Sequence, residues 1–305
     1  METSVEGPFG FVVIDKPAGL TSHSCVSRLR RCFGLKRVGH GGTLDPAVTG
    51  VLPIALGPAT RLLPYLPGEK TYRGSIQLGQ TTSTDDLEGE LLTTAAWPSL
   101  TQAQLNDALS AFRGTIAQHP PQVSAVHVDG VRAHERVRRG ETLELPPRPV
   151  TIHRLELLNW DPETGRLELE VHCSAGTYIR SLARDLGAQL GCGGCLASLR
   201  RVQALGFGIE QAVPLPAWPD SPEASQQVLP AVLPPDQALT HLAQHHANEA
   251  ERDDWRCGRR LQLSEGLATV GDPVVVLQND GPMLGIGVIE AGQLLRPKVV
   301  FDAKG

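Results

Sequence analysis

The segment GHGGTLDPAVTG, residues 39–50, places two ionisable side chains, His40 and Asp45, where five of twelve positions are glycine or proline. An imidazole and a carboxylate are the groups that carry acid–base and nucleophilic chemistry when a rigid backbone aims them. Gly39, Gly41, Gly42 and Gly50 permit positive φ or close backbone approach, and Pro46 keeps Asp45 out of the helical region. The segment is therefore a shaped loop. The same residues also read as an Asp-Pro turn with a histidine at the surface.

Three other sites offer chemistry. In KTYRGSIQLGQ, Tyr72 alternates with Gly74, Ile76 and Leu78 on one face of a strand, with Thr71, Arg73, Ser75 and Gln77 on the other. Tyrosines in that setting also serve as plain core residues. Arg180 falls in the first turn of a helix expected in GTYIRSLARDLG, where the macrodipole disfavours a cation; a carboxylate nearby or solvent would resolve the conflict. Cys192 and Cys195 form a CxxC pair, the pattern of a redox couple or half a zinc site. No second CxxC or HxxxH completes a tetrahedral set, so they are expected to be structural thiols at a tight turn.

The elements that must position these groups follow from pattern. Phe11–Ile14 is a short apolar run leading through a Pro-Ala-Gly turn to a helix, with Thr21 and Ser22 as cap candidates, Cys25, Leu29 and Cys32 on one face, and Gly34 at the end. RLELEVHC sets Leu167, Leu169, Val171 and Cys173 on one strand face; Thr177 is the expected cap of the next helix, which runs to Gly191. Residues 213–236 are rich in proline and read as a linker or an irregular wrap. Beyond them, short β-type runs separated by Gly-Asp-Pro and Asn-Asp-Gly signals suggest a small all-β tail.

The 305 residues, 41% hydrophobic and 20% charged, are globular in composition. No apolar run reaches membrane-spanning length, the N-terminus lacks the features of a secretory signal, and the six cysteines show no disulfide spacing; a cytoplasmic protein is expected. The net charge of −5 weighs against nucleic acid. Local patterning weighs for it: Arg28, Arg30, Arg31, Lys36 and Arg37 cluster without an acid, and VRAHERVRRGE supplies Arg132, Arg136, Arg138 and Arg139. Charge alone leaves a folded-RNA partner and solvated faces equally open.

Read in order, DKPAGLTS, GHGGTLDPAVTG, KTYRGSIQLGQTTSTDDLEG and HCSAGTYIRSLARDLG give a chain that resembles the TruB-type tRNA pseudouridine-55 synthases over about residues 10–205, with a tail similar to the PUA-type RNA-binding module. The resemblance implies an α+β fold, a mixed, largely antiparallel sheet flanked by helices, with a small all-β PUA-like C-terminal domain. It implies a catalytic domain over 1–212, a Pro-rich linker or wrap over 213–245 and the PUA-like domain over 246–305. The implied reaction breaks the bond between ribose C1′ and uracil N1, turns the base and rejoins it through C5, without metal or organic cofactor.

By the same likeness Asp45 is the catalytic carboxylate, acting as a nucleophile at the sugar or starting a glycal-type elimination. Tyr72 stacks on the base and helps remove the C5 proton, and Arg180 pairs with Asp45. His40 fills the space left by the flipped base, Tyr178 and Leu199 line the pocket, and Asp86 lies near the target nucleotide. The implied partner is tRNA, through its T-loop and T-stem, bound by a monomer without membrane or obligate protein partner. The chain departs from the family pattern at Ser83, where an acid is usual, and at Val123, His127 and His134, where tyrosine, lysine and tyrosine are common. Those changes point to altered RNA affinity more than to lost chemistry.

Overall fold

The computed structural model describes residues 7–123, 127–128, 131–132, 145–217, 229–264, 266–279 and 281–303. His134, Arg136, Arg138 and Arg139 lie outside the described residues, and His127 and Arg132 are described in their backbone alone. The chain divides into two compact units that are not consecutive in sequence. The first gathers Met1–Asp45, Val51–Pro67 and Leu205–Gly305; the second gathers Pro46–Gly50 and Gly68–Ala204.

The first unit opens with β1 (Gly10–Lys16), buried along nearly its whole length as its apolar run requires. Helix α1 (Ser22–Cys32) follows, burying Cys25, Val26 and Leu29. Of the two cap candidates, Thr21 is the cap: its hydroxyl accepts the Ser24 N–H at 3.0 Å. Ser22 is not. With the cap position filled, its buried hydroxyl turns sideways, accepting the Leu44 N–H at 2.8 Å and donating to the Leu44 carbonyl at 3.2 Å. Gly34 sits just past the Phe33 cap with φ +63°, the expected helix stop. Then β2 (Val38–His40) pairs antiparallel with β3 (Thr49–Leu56).

In the second unit come β4 (Lys70–Leu78), the hairpin of β5 (Gln80–Thr82) and β6 (Leu91–Thr94), helix α2 (Gln102–Ser110), β7 (Gly114–Gln118), the short pair β8 (His127–Val128) and β9 (Val131–Arg132), then β10 (Arg148–Asp161), β11 (Arg166–Cys173), helix α3 (Ile179–Gln189) and β12 (Gly194–Ala204). The strand order is β12-β4-β11-β10-β7 with antiparallel neighbours, while Thr49 and Gly50 of β3 lie parallel to Arg200 and Arg201. The expected face of Leu167, Leu169, Val171 and Cys173 is buried, as is the α3 stripe of Ile179, Leu182, Ala183 and Leu186, which packs on β12. Thr177 does not cap α3. Its hydroxyl turns back to the Ser174 carbonyl at 3.0 Å, and Tyr178 takes the cap position without a side-chain bond.

The chain then returns to the first unit through β13 (Phe207–Gly208) and β14 (Val213–Pro214), which runs parallel to β1 with Ile14 opposite Val213; Leu233 bridges Phe11. In its described part the proline-rich stretch is thus a wrap along β1. The tail builds β15 (Ala243–Ala247), helix α4 (Glu249–Arg256), β16 (Leu261–Gln262), β17 (Pro273–Gln278), β18 (Met283–Glu290) and β19 (Leu294–Val300), with sheet order β15-β17-β18-β19-β16. The β signals of the sequence are borne out, with one helix added: Asn248 and Glu251 form its capping box. Its Trp255, fully buried among Leu261, Val276, Leu284 and Leu295, donates its indole N–H to the Leu284 carbonyl at 3.1 Å.

Candidate active site

Asp45 is exposed, and the backbone on either side of it is fixed. Before it, Leu44 has both backbone polar groups on the Ser22 hydroxyl. After it, Thr49 and Gly50 join Arg200 and Arg201 of β12, and Arg200 Nη1 donates to Thr49 Oγ1 at 3.3 Å. Gly50 has φ +104°, and a Cβ there would lie 2.1 Å from the Arg201 carbonyl oxygen, so no other residue fits. His40 stands half-buried on β2, its backbone opposite Ile54.

Tyr72 is buried on β4, flanked by Val171 on β11 and Arg201 on β12. Arg201 was not singled out by sequence, yet it is wholly buried and hydrogen-bonded to the Tyr72 side chain. Burial pulls the Arg201 pKa below its usual value, and Tyr72 works against that shift. Leu199 lies opposite Gly74, where a Cβ would come within 2.8 Å of its Cδ1; the missing side chain makes room for the leucine. Tyr72, Leu199 and Arg201 are thereby gathered on β4 and β12. A phenol tied to a guanidinium is held in one orientation.

Arg180 is also buried. Its Nη1 donates to the Thr84 carbonyl at 3.0 Å, its Nη2 to the Val123 carbonyl at 2.9 Å, and its Nε lies 3.7 Å from Asp86 Oδ2. These acceptors answer the dipole conflict within the second unit. One turn later Arg184 Nη1 donates to Asp85 Oδ2 at 2.9 Å. Burial raises the Asp85 carboxyl above its ordinary value, and Arg184 opposes the shift. The Asp86 carboxylate accepts from Thr84 Oγ1 at 2.5 Å and from the Glu88 N–H at 3.1 Å. The loop is tied to β12 by Leu196, whose N–H reaches the Asp85 carbonyl at 2.9 Å and whose carbonyl accepts the Leu87 N–H at 3.0 Å.

Tyr178, half-buried, is positioned by a residue that sequence did not reveal. The Gln118 amide accepts the Tyr178 N–H at 2.8 Å and donates to the Tyr178 carbonyl at 3.1 Å, locking the start of α3 to β7. Two departures from the family pattern keep structural roles: the Val123 carbonyl receives Arg180, and Ser83 Oγ accepts the Glu90 N–H at 3.0 Å. A cleft of about 610 Å³ opens among His119, Pro120, Gln122, Leu145, Pro146, Pro147 and Arg184. Cys192 and Cys195 are buried free thiols, and burial pushes Cys195 up to about 11, so it is uncharged at neutral pH.

A family model for the N-terminal domain of TruB family pseudouridylate synthases matches residues 30–179. The chain is 69% identical over 301 residues to tRNA pseudouridine synthase B of Parasynechococcus marenigrum (strain WH8102), covering 99% of this chain and 100% of the relative. It is 57% identical over 320 residues to the protein of the same name from Prochlorococcus marinus (strain MIT 9313), covering 98% and 99%. Among solved structures its fold is similar to a chain of a Cbf5-Nop10-Gar1 complex, with TM-score 0.71 and 24% identity over 96% of this chain and 84% of that one. A chain of an H/ACA ribonucleoprotein bound to a substrate RNA containing 2′-deoxyuridine gives TM-score 0.70 at 23% identity, covering 96% and 85%. Near-complete coverage at such identity, together with the anchored Asp45 loop and the Tyr72 strand, shows that the chain belongs to the TruB family of pseudouridylate synthases.

Proposed function

We propose that the chain isomerises the uridine at position 55 in the T-loop of tRNA to pseudouridine. The observation that carries this reading is the Asp45 loop, fixed on one side at Leu44 and on the other at Thr49 and Gly50, in a chain whose relatives are named tRNA pseudouridine synthase B. The target nucleotide leaves the stack, at a cost of a few kcal/mol, and His40 takes up the vacated space. The Asp45 carboxylate acts at the ribose. The N1–C1′ bond breaks, the uracil turns while stacked on Tyr72, and a C5–C1′ bond forms. The C5 proton leaves with the help of Tyr72 and N1 gains one. Product and substrate are isomers, so no oxidant or cofactor is consumed.

Tyr178 and Leu199 line the pocket that retains the detached base, and Asp86 holds Arg180 beside the nucleotide. Residues 1–212 serve as the catalytic domain, 213–245 as the connecting wrap and 246–305 as the PUA-like RNA-binding domain. The enzyme works in the cytoplasm as a monomer without an obligate protein partner; among the described residues no helix is long and apolar enough to cross a membrane. The test is an unmodified tRNA transcript incubated with the protein and mapped nucleotide by nucleotide. Product is expected at the T-loop uridine alone, and a transcript with cytidine there should yield none. Product at another uridine would overturn the assignment.

A further inference from the structure

The geometry points to a site for a zinc-type divalent cation formed by Glu69, His153 and His172 in the second unit. Their donor atoms all lie within 4.8 Å of one another. Glu69 Oε1 is 3.5 Å from His153 Nε2, and Glu69 Oε2 is 3.3 Å from His172 Nε2. Tetrahedral ligands at roughly 2.0–2.1 Å from zinc are about 3.3–3.4 Å from each other. Two imidazoles and a carboxylate also match the ligand types that zinc accepts.

Two features of the backbone and its hydrogen bonds set these side chains up. Along β10 and β11, Ile152 pairs with Cys173 and Arg154 with His172, so His153 is the extra residue of a bulge. A bulge re-aims the side chain it carries, and the His153 ring lies 5.2 Å from that of His172. Behind His172, Thr71 Oγ1 is 3.0 Å from Nδ1 and donates its own proton to Gln203 Oε1 at 3.1 Å. The Thr71 oxygen is then placed to accept a hydrogen bond from Nδ1, on the side of the ring away from Glu69. A metal-binding histidine donates its far N–H to an outer-shell acceptor, and here the Thr71 oxygen stands in that position.

His172 pairs with Thr71, and the next pair along is Val171 with Tyr72. Successive residues point to opposite faces, so the cation site backs the strand whose other face carries Tyr72. A bound ion would tie the entry of β4 to β10 and β11.

The test uses full-length protein without a histidine tag, stripped of metal by dialysis against a chelator and titrated with Zn²⁺ in competition with a chromophoric chelator. One saturable equivalent is expected, with Mg²⁺ unable to displace it. Glu69 and His153 are exposed, so Glu69→Gln and His153→Ala should fold normally by circular dichroism while losing more than tenfold in Zn²⁺ affinity. Thr71→Val keeps all three ligands and should weaken binding about 10–100-fold, whereas Cys257→Ser should leave it unchanged. No saturable equivalent in the wild type, or equal binding by the ligand variants, would overturn the proposal. So would a proton resonance titration showing His172 held protonated against Glu69 in protein that takes up no zinc.

Discussion

Tyr72 and Arg201 face each other from β4 and β12, a phenol against a fully buried guanidinium, and each fixes the other. Tyr72→Phe keeps the ring proposed to stack on the base but removes the hydroxyl from a buried cation. It should lower stability by about 1–3 kcal/mol and kcat by about 10²-fold or more, the range of a lost proton-transfer group. Arg201→Lys replaces a planar fork by a point charge and should lower kcat while leaving the KM for tRNA nearly unchanged. If the two residues act as one unit, the double variant should be hardly slower than the worse single one; steady-state rates on a tRNA transcript decide this, and additive losses would separate their roles. Sequence pattern placed Tyr72 on its face because alternation is local, but the Arg201 partnership depends on which strand lies next to β4. Arg180 shows the same limit: its misfit with the helix dipole was legible, whereas its acceptors, Thr84, Val123 and Asp86, come from two distant loops.

At the scale of elements, α1 serves the loop through the Ser22 hydroxyl. Ser22→Ala leaves the Thr21 cap intact, so the helix should persist, but it strips both backbone bonds from Leu44 beside Asp45. The expected outcome is a loss of about 1–3 kcal/mol in denaturant unfolding together with reduced kcat. Full activity in a destabilised variant would mean that the Asp45 position does not depend on this anchor. Gln118→Leu, which removes both amide hydrogen bonds to the Tyr178 backbone at the start of α3 while its carbonyl keeps the Leu182 N–H, should destabilise by a similar amount and raise the KM as the proposed pocket lining loosens. The strands and helices themselves were readable from period and caps. The choice between Thr21 and Ser22 was not, since adjacent hydroxyls look alike until a partner 22 residues away claims one. The trio Glu69, His153 and His172 was hidden for a related reason: a bulge and strand register bring together residues scattered over more than a hundred positions.

For the whole molecule, the first and last parts of the chain share one compact unit while the middle forms another, an arrangement that composition and motif order do not encode. Val213 and Leu233 pairing along β1 shows how a proline-rich stretch serves as structure there. An overall charge of −5 means that tRNA must be attracted by local positive charge. In the tail, Arg259, Arg260 and Arg296 are each matched by an acid, whereas Lys36 and Arg37 follow α1 in exposed positions ahead of the Asp45 loop. Lys36→Ala and Arg37→Ala should weaken tRNA binding and make the salt dependence shallower by about one unit for each phosphate no longer neutralised, and Arg259→Ala should do neither. The central claim is that Asp45 acts at the ribose, and the most direct measurement is single-turnover pseudouridine formation in a tRNA transcript by wild type and Asp45→Asn, with tRNA affinity measured in parallel. The wild type should convert the T-loop uridine, while Asp45→Asn binds tRNA with similar affinity and forms no product. Turnover by Asp45→Asn at a rate near wild type would contradict the claim.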